Sequence, residues 1–296
     1  MPSQARTSLP YFDVLLQKLD SGISALDLAF GRHVHWGCWP DPKRATGTPE
    51  DFAAAAELLS KKVYGAAGVG SGQKVLDAGC GFGGTLASLN ENFAPIDLTG
   101  LNIDPRQIAR ARGKVQARPG NKLHFVEGDA CAMPFPDRSF DVVLAVECIF
   151  HFPDRKKFFA EVQRVLKPGG TFAISDFVPR RFFRPYTASR FAKDMLAPLF
   201  GPVQMSYTLK DYGELAAATG FTPLFEEDIT AGTVPTYPFL RQLKPALDSD
   251  EAPNDWGSYG AEWVSRLGWI GYWILAWRKI SDSKSKIAFH SFLKNW

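Results

Sequence analysis

The stretch from Lys74 to Gly84, KVLDAGCGFGG, constrains the fold more than any other part of the chain. Lys74 to Asp77 is a short run with an apolar centre that ends in glycines, and Thr85 to Asn90 then opens a helix. A strand that passes through a glycine turn into a helix aims backbone N–H groups and the positive end of the helix dipole at one spot, where a ligand can approach closely. Gly79, Gly81 and Gly84 stand at the G-x-G-x-x-G spacing such a turn needs.

The rhythm continues downstream. Residues 96–101, 123–126 and 140–146 read as further strands, and Pro105 to Val115 as a helix with proline in its first turn. Arg155 to Leu166 places Phe158, Phe159, Val162 and Leu166 at helical spacing, and Pro168-Gly169-Gly170 turns the chain into a fifth strand at 171–175. Leu209 to Thr219 reads as a core helix, Phe221 to Ile229 as a strand, and Gly271 to Arg278 as a last, antiparallel strand that closes the sheet. Continuously apolar strands alternating with helices imply a parallel sheet covered on both faces. The expected class is therefore α/β: a Rossmann-like, seven-stranded, mostly parallel sheet with helices on both faces and an added helical, aromatic-rich cap.

The 296 residues suffice for one such core and additions to it. Residues 1–72 read as an N-terminal helical cover segment, 73–280 as the core with cap insertions at about 178–208 and 231–270, and 281–296 as a tail. The cap segments hold Phe182, Phe183, Tyr186, Phe191, Phe200, Tyr207, Tyr237, Phe239, Trp256, Tyr259 and Trp263. A net charge of +3, with Lys284 and Lys286 the only short basic cluster, argues against a nucleic-acid partner. Cys38, Cys80, Cys131 and Cys148 form no C-x-x-C pair, so neither a metal site nor a disulfide framework is expected. No stretch is apolar enough for a signal peptide or a membrane span, and a cytoplasmic location is expected.

Two cofactor classes share the glycine spacing, dinucleotides and S-adenosylmethionine (SAM), and Asp77 separates them. A carboxylate two residues before the first glycine would repel a pyrophosphate and suits a ligand carrying an ammonium and a sulfonium. Further on, Glu127-Gly128-Asp129-Ala130 follows the third strand, Leu166-Lys167-Pro168-Gly169-Gly170 precedes the fifth, and His33-Val34-His35-Trp36-Gly37 lies upstream. With the glycine loop, these segments resemble the class I SAM-dependent methyltransferases over about residues 70–177, within the small-molecule, type 11-like subgroup, and are most similar to bacterial natural-product O-methyltransferases. The resemblance implies SAM as methyl donor and S-adenosylhomocysteine (SAH) as product. It implies that Asp129 accepts from the adenine amine beside the Ala130 amide, and that Trp36 lies over the methionine end. Asn102 stands where many members carry a ribose-binding acid, and Gln107 resembles a residue that shares that task. Ile103 and Val146 complete the expected cofactor set with Asp77, Gly79 and Gly81. Asp104 reads as the N-cap of the following helix. A metal held by His33 and His35 lacks a third ligand nearby.

An oxygen acceptor needs a base, because a neutral hydroxyl is a poor nucleophile. His151 follows the fourth strand and Asp176 the fifth, so both should emerge at the ligand side of the sheet. A histidine oriented by a carboxylate is a sensible base pair, and the two positions resemble that of natural-product and sugar O-methyltransferases. The alternative is that His151 fills the pocket and Asp176 caps a loop. Glu147, Phe150 and His35 are the expected acceptor-binding residues, with the cofactor's amino group as another partner for Glu147 and a structural role for it equally open. The aromatic cap would supply a cavity wall for a bulky, largely apolar acceptor, such as a polyketide or peptide intermediate. C-methylation of an isoprenoid or tocopherol-like ring and N-methylation of a small amine are the alternatives. Monomer and homodimer both remain open.

Overall fold

In the computed structural model, which describes residues 9–247 and 255–281, the strands are β1 (Lys74–Ala78), β2 (Asp97–Asn102), β3 (Lys122–Glu127), β4 (Phe140–Val146), β5 (Leu166–Pro179), β6 (Phe221–Asp228) and β7 (Ile270–Lys279). They form one seven-stranded sheet in the order β3-β2-β1-β4-β5-β7-β6. The Rossmann-like class expected from the sequence holds. β1 pairs in parallel with β2 on one side and β4 on the other. The chain therefore reverses its direction of travel across the sheet at β1 and β4, where a crevice opens beyond the strand ends.

Alternation along the strands feeds two cores. Leu76 and Ala78 of β1, with Val143 and Ala145 of β4, pack on the face that holds Phe158, Phe159 and Phe172. Val75, with Val142, Leu144 and Val146, packs on the opposite face against Leu59, Val63 and Leu98. A side-chain period of two with apolar residues on both sides is what a doubly covered sheet requires. A third core joins Phe12, Leu15 and Leu16 of helix Pro10–Asp20 to Phe52 of helix Pro49–Ala66, Phe82 of the glycine loop, and Phe239 and Leu243 of helix Thr236–Leu247. The N-terminal segment and part of the cap thus share a single apolar cluster above the loop.

Local chemistry sets the helix ends that matter for the site. Asp104 caps helix Pro105–Lys114 by accepting from the Arg106 N–H at 2.9 Å, as its Asp-Pro sequence suggests. Asp154 caps helix Arg155–Val165 through the Lys157 N–H.

Two strand expectations change. β7 is antiparallel, but it lies between β5 and β6 instead of closing the sheet, which leaves β6 at the edge. β5 extends from Leu166 to Pro179, well past 171–175, because β7 pairs with it as far as Pro179 opposite Ile270. The cap aromatics also divide: Tyr237 and Phe239 are buried, whereas Phe182, Tyr186, Phe191, Phe200, Tyr259 and Trp263 are exposed. The Trp256 side chain, the Lys284 and Lys286 cluster, His290 and the tail beyond Ser281 lie outside what the structure describes.

Candidate active site

β1 delivers the glycine loop to the crevice. Gly79 has φ 87°, in the left-handed region, and a Cβ there would stand 2.7 Å from the Cys148 sulfur. At Gly84 a Cβ would meet the Arg32 carbonyl at 2.4 Å. Both positions need glycine, one for backbone conformation and close approach, the other because the cover segment packs directly on the helix start.

One cleft gathers most of the expected residues: Asp77, Gly79 and Gly81 from the loop, then Asn102, Ile103 and Gln107 beyond β2. Asp129 and Ala130 after β3, Val146, Glu147 and His151 after β4, and His35 of the cover segment complete it. Asn102 is fixed in orientation. Its Nδ2 donates to Gln107 Oε1 at 3.0 Å and its Oδ1 accepts from the Asp104 N–H at 3.0 Å. Asp129 Oδ1 accepts from the Cys131 N–H at 2.7 Å.

Asp77 is 1% exposed, and its Oδ1 has no hydrogen-bond partner among the described residues. Burial pushes its pKa up to about 7. An unpartnered buried carboxylate on a cleft wall calls for a cation. Glu147 is the second acid at this end. Its carboxylate accepts from the Trp36 N–H at 2.9 Å and from the Tyr272 hydroxyl. Burial pushes it up to about 8 against those two hydrogen bonds. The fit to SAM rests on these features: an orphaned acid for the ammonium and sulfonium, a glycine cradle, and oriented amides beside it for a ribose.

Several expected residues are placed differently. Asp176 does not pair with His151. It is fully buried and accepts from Arg155 Nη2 at 3.0 Å and from the Tyr212 hydroxyl. The same Nη2 also donates to the Gln204 carbonyl at 2.6 Å, and the guanidinium lies 4.5 Å from the Tyr207 ring centre. The carboxylate is committed to that guanidinium because an unpaired buried Arg would be far costlier than an unpaired neutral imidazole. Trp36 packs its ring against Phe177, Tyr237 and Tyr272 at 4.9, 4.6 and 6.2 Å and does not line the cleft; only its backbone serves the site, by holding Glu147. Phe150 stands behind the cleft, 4.4 Å from the His151 ring and 5.8 Å from Phe177.

His35 reaches the cleft wall with both ring nitrogens engaged, Nδ1 with the Trp36 carbonyl and Nε2 with the Ser60 hydroxyl, each at 2.9 Å. Burial pushes it down to about 3, so it is a neutral, satisfied ring with no nitrogen left for an acceptor. His33 is likewise spent, on Glu57 at 2.8 Å. Among the described residues no group of three His, Cys, Asp or Glu side chains stands close enough to hold a metal.

The residue that sequence reasoning missed is Tyr11. It lines the cleft, and its hydroxyl lies 3.1 Å from His151 Nε2. Nothing in PYFDVLL marks it, since its partner is 140 residues away. Arg106, which joins Asp104 at 2.6 Å and Asp13 at 2.7 Å, ties the helix carrying Tyr11 to the Asn102 side of the cleft.

Comparisons with known proteins bear on the family and the fold. Residues 76–174 match the family model described as a methyltransferase domain. The 2-methyl-6-phytyl-1,4-hydroquinone methyltransferase of Synechocystis is 32% identical over 247 residues, which cover 79% of this chain and 72% of that one. The 27-O-demethylrifamycin SV methyltransferase of Amycolatopsis mediterranei is 34% identical over 54% of this chain and 56% of its own. This chain spans about half the length of the first curated relatives it matches. In fold it is similar to the mycolic acid cyclopropane synthase CmaA1 solved with SAH, at a TM-score of 0.72 and 18% identity over 92% of this chain and 99% of that one. With an orphaned acid and a glycine cradle at the switch point of a seven-stranded sheet, the chain belongs to the class I SAM-dependent methyltransferases.

Proposed function

We propose that the chain methylates a hydroxyl group of a bulky, largely apolar small molecule, of the polyketide or peptide kind, with His151 as general base. One observation carries this reading. His151 stands in the wall of the cofactor cleft with Nε2 beside a hydroxyl, that of Tyr11, so an oxygen can already sit where a proton must leave. When bound, SAM supplies a methyl carbon made electrophilic by its sulfonium. The chain's own work is to hold the acceptor oxygen in line and to take its proton. Burial pushes His151 down to about 4, which keeps the ring neutral and its lone pair available at neutral pH. A methylated oxonium is a far stronger acid than any imidazolium, so a base of this strength suffices. Leu9, Phe12, Ile103 and Phe152 give the cleft apolar walls, which supports an apolar acceptor. The relative that acts on a demethylrifamycin supports the natural-product class.

A second reading, C-methylation of an isoprenoid or tocopherol-like ring, is favoured by the relative that acts on a phytyl hydroquinone. Turnover of a panel of hydroxylated polyketides, phytyl hydroquinones and small amines with carbon-13-labelled SAM tests both. The proposal expects a methoxy carbon resonance in the product. A product carrying only C-methyl or N-methyl groups would overturn it.

A further inference from the structure

Among the described residues no helix is long and apolar enough to cross a membrane, yet one face of the cap exposes what a membrane surface binds. Phe182, Phe191 and Trp263 are 66%, 68% and 63% exposed, and Tyr186, Leu267 and Trp269 are exposed with them. These side chains are contiguous. The Trp269 ring lies 5.8 Å from Phe182 and 5.3 Å from Phe183, which is 4.9 Å from Tyr186, and Tyr186 is 6.3 Å from Phe191. Leu267 and Trp269 share a shallow surface hollow with Phe182 and Arg181. Trp263 is four residues before Leu267, one helical turn away on the same face. Single exposed apolar residues are ordinary, but a connected run of rings marks an interaction surface.

The same segment is a second basic cluster, which the expectation of scattered basic residues passed over. From Arg180 to Phe200 the sequence carries five cations, Arg180, Arg181, Arg184, Arg190 and Lys193, against one acid, Asp194. All five cations are exposed. Aromatic side chains with a polar or wide amphipathic body settle at the level of lipid headgroups, and exposed Lys and Arg around them draw anionic headgroups.

Other occupants fit less well. A symmetric contact with a second copy would press two such cationic segments together. A single-stranded nucleic acid would use the rings as stacking platforms, but Leu267 and Met195, four residues after Phe191 on the same helix face, offer aliphatic surface that only an apolar phase rewards. The patch also leads to the acceptor end of the cleft. Phe200, at the end of helix Arg190–Phe200, lies 5.7 Å from the Tyr11 ring, whose hydroxyl meets His151.

We propose that this cap face docks on the surface of a lipid bilayer containing anionic lipid. The docking rests on the surface alone and holds whichever atom is methylated. Flotation of the full chain with vesicles of phosphatidylcholine containing one-third phosphatidylglycerol, and with vesicles of phosphatidylcholine alone, tests it. The anionic vesicles should be bound at least about tenfold more tightly, and added salt should weaken that binding. Phe182→Ser with Phe191→Ser, and separately Arg181→Glu with Arg190→Glu, should each lower vesicle binding by about tenfold or more, since each pair removes either the inserted rings or the charge attraction. SAH affinity, measured alongside, should stay unchanged in both variants and certifies that they are folded. The proposal is overturned if the wild type floats with neither vesicle, or if both variants bind as the wild type does. It is equally overturned if the ring substitutions instead dissociate a dimer in sedimentation, or if an oligonucleotide is bound in preference to the vesicles.

Discussion

His151→Ala is expected to lower kcat for a hydroxyl acceptor by about 10²–10⁴-fold, the usual range for a positioned general base, while SAH binding stays within about threefold. The size follows from where the ring sits. His151 lines the cleft with its Nε2 3.1 Å from the Tyr11 hydroxyl, whereas His33 and His35, the other imidazoles of the cleft among the described residues, are held by Glu57, Ser60 and the Trp36 carbonyl. Tyr11→Phe should cost less, because it removes a partner of the ring and leaves the base in place. The pH profile has a definite sign. The ring must be neutral to act, and burial places its pKa near 4. At saturating SAM, kcat should therefore hold from neutral pH down to about pH 5 and fall only below that, instead of falling near the ordinary histidine value of about 6.5. Stopped assays across pH check this, and a variant that still methylates oxygen at the normal rate would show that the base lies elsewhere.

Asp176→Ala is expected to cost about 3–5 kcal/mol of folding stability, because it leaves the Arg155 guanidinium buried without its carboxylate. Both side chains are 0% exposed, so solvent screening takes nothing from this pair. The midpoint of thermal unfolding should drop by on the order of 10 °C. Replacing both partners by apolar residues, Arg155→Met with Asp176→Leu, should recover much of the loss, since the pair's removal also removes its desolvation cost. This outcome separates two roles for Asp176. A carboxylate that orients His151 would lose turnover and keep its melting temperature. The observed partners, Arg155, Tyr212 and through Arg155 the Gln204 carbonyl, place the loss in stability and in the anchoring of residues 201–208 beside the His151 turn.

The glycine loop, the β-α alternation and the Asp104 cap were legible because each is written in a few consecutive residues. Asp77 was legible for the same reason: its charge sign opposes one cofactor class wherever the strand lies. What escaped depends on distant partners. Arg155 reads as the polar first residue of an amphipathic helix, and only the fold brings Asp176 and Gln204 to it. Trp36 sits in a recognisable spacing, yet the direction of its ring is decided by Phe177, Tyr237 and Tyr272 from three later segments. The interior position of β7 is a matter of strand order, about which periodicity carries no information.

Calorimetric titration of SAH into the wild type and Asp77→Asn, repeated between pH 5 and 8, tests the cofactor site most directly. In the free protein Asp77 titrates near 7, and the ligand's ammonium requires it ionised. Below that pH, binding must expel a proton, so affinity should rise by up to about tenfold per pH unit from pH 5 to 7 and level off above. Asp77→Asn should bind at least about tenfold more weakly at pH 8, having lost a hydrogen bond between charged groups, and should show little pH dependence. Equal affinities and the same pH profile in both proteins would contradict the assignment of this cleft to SAM.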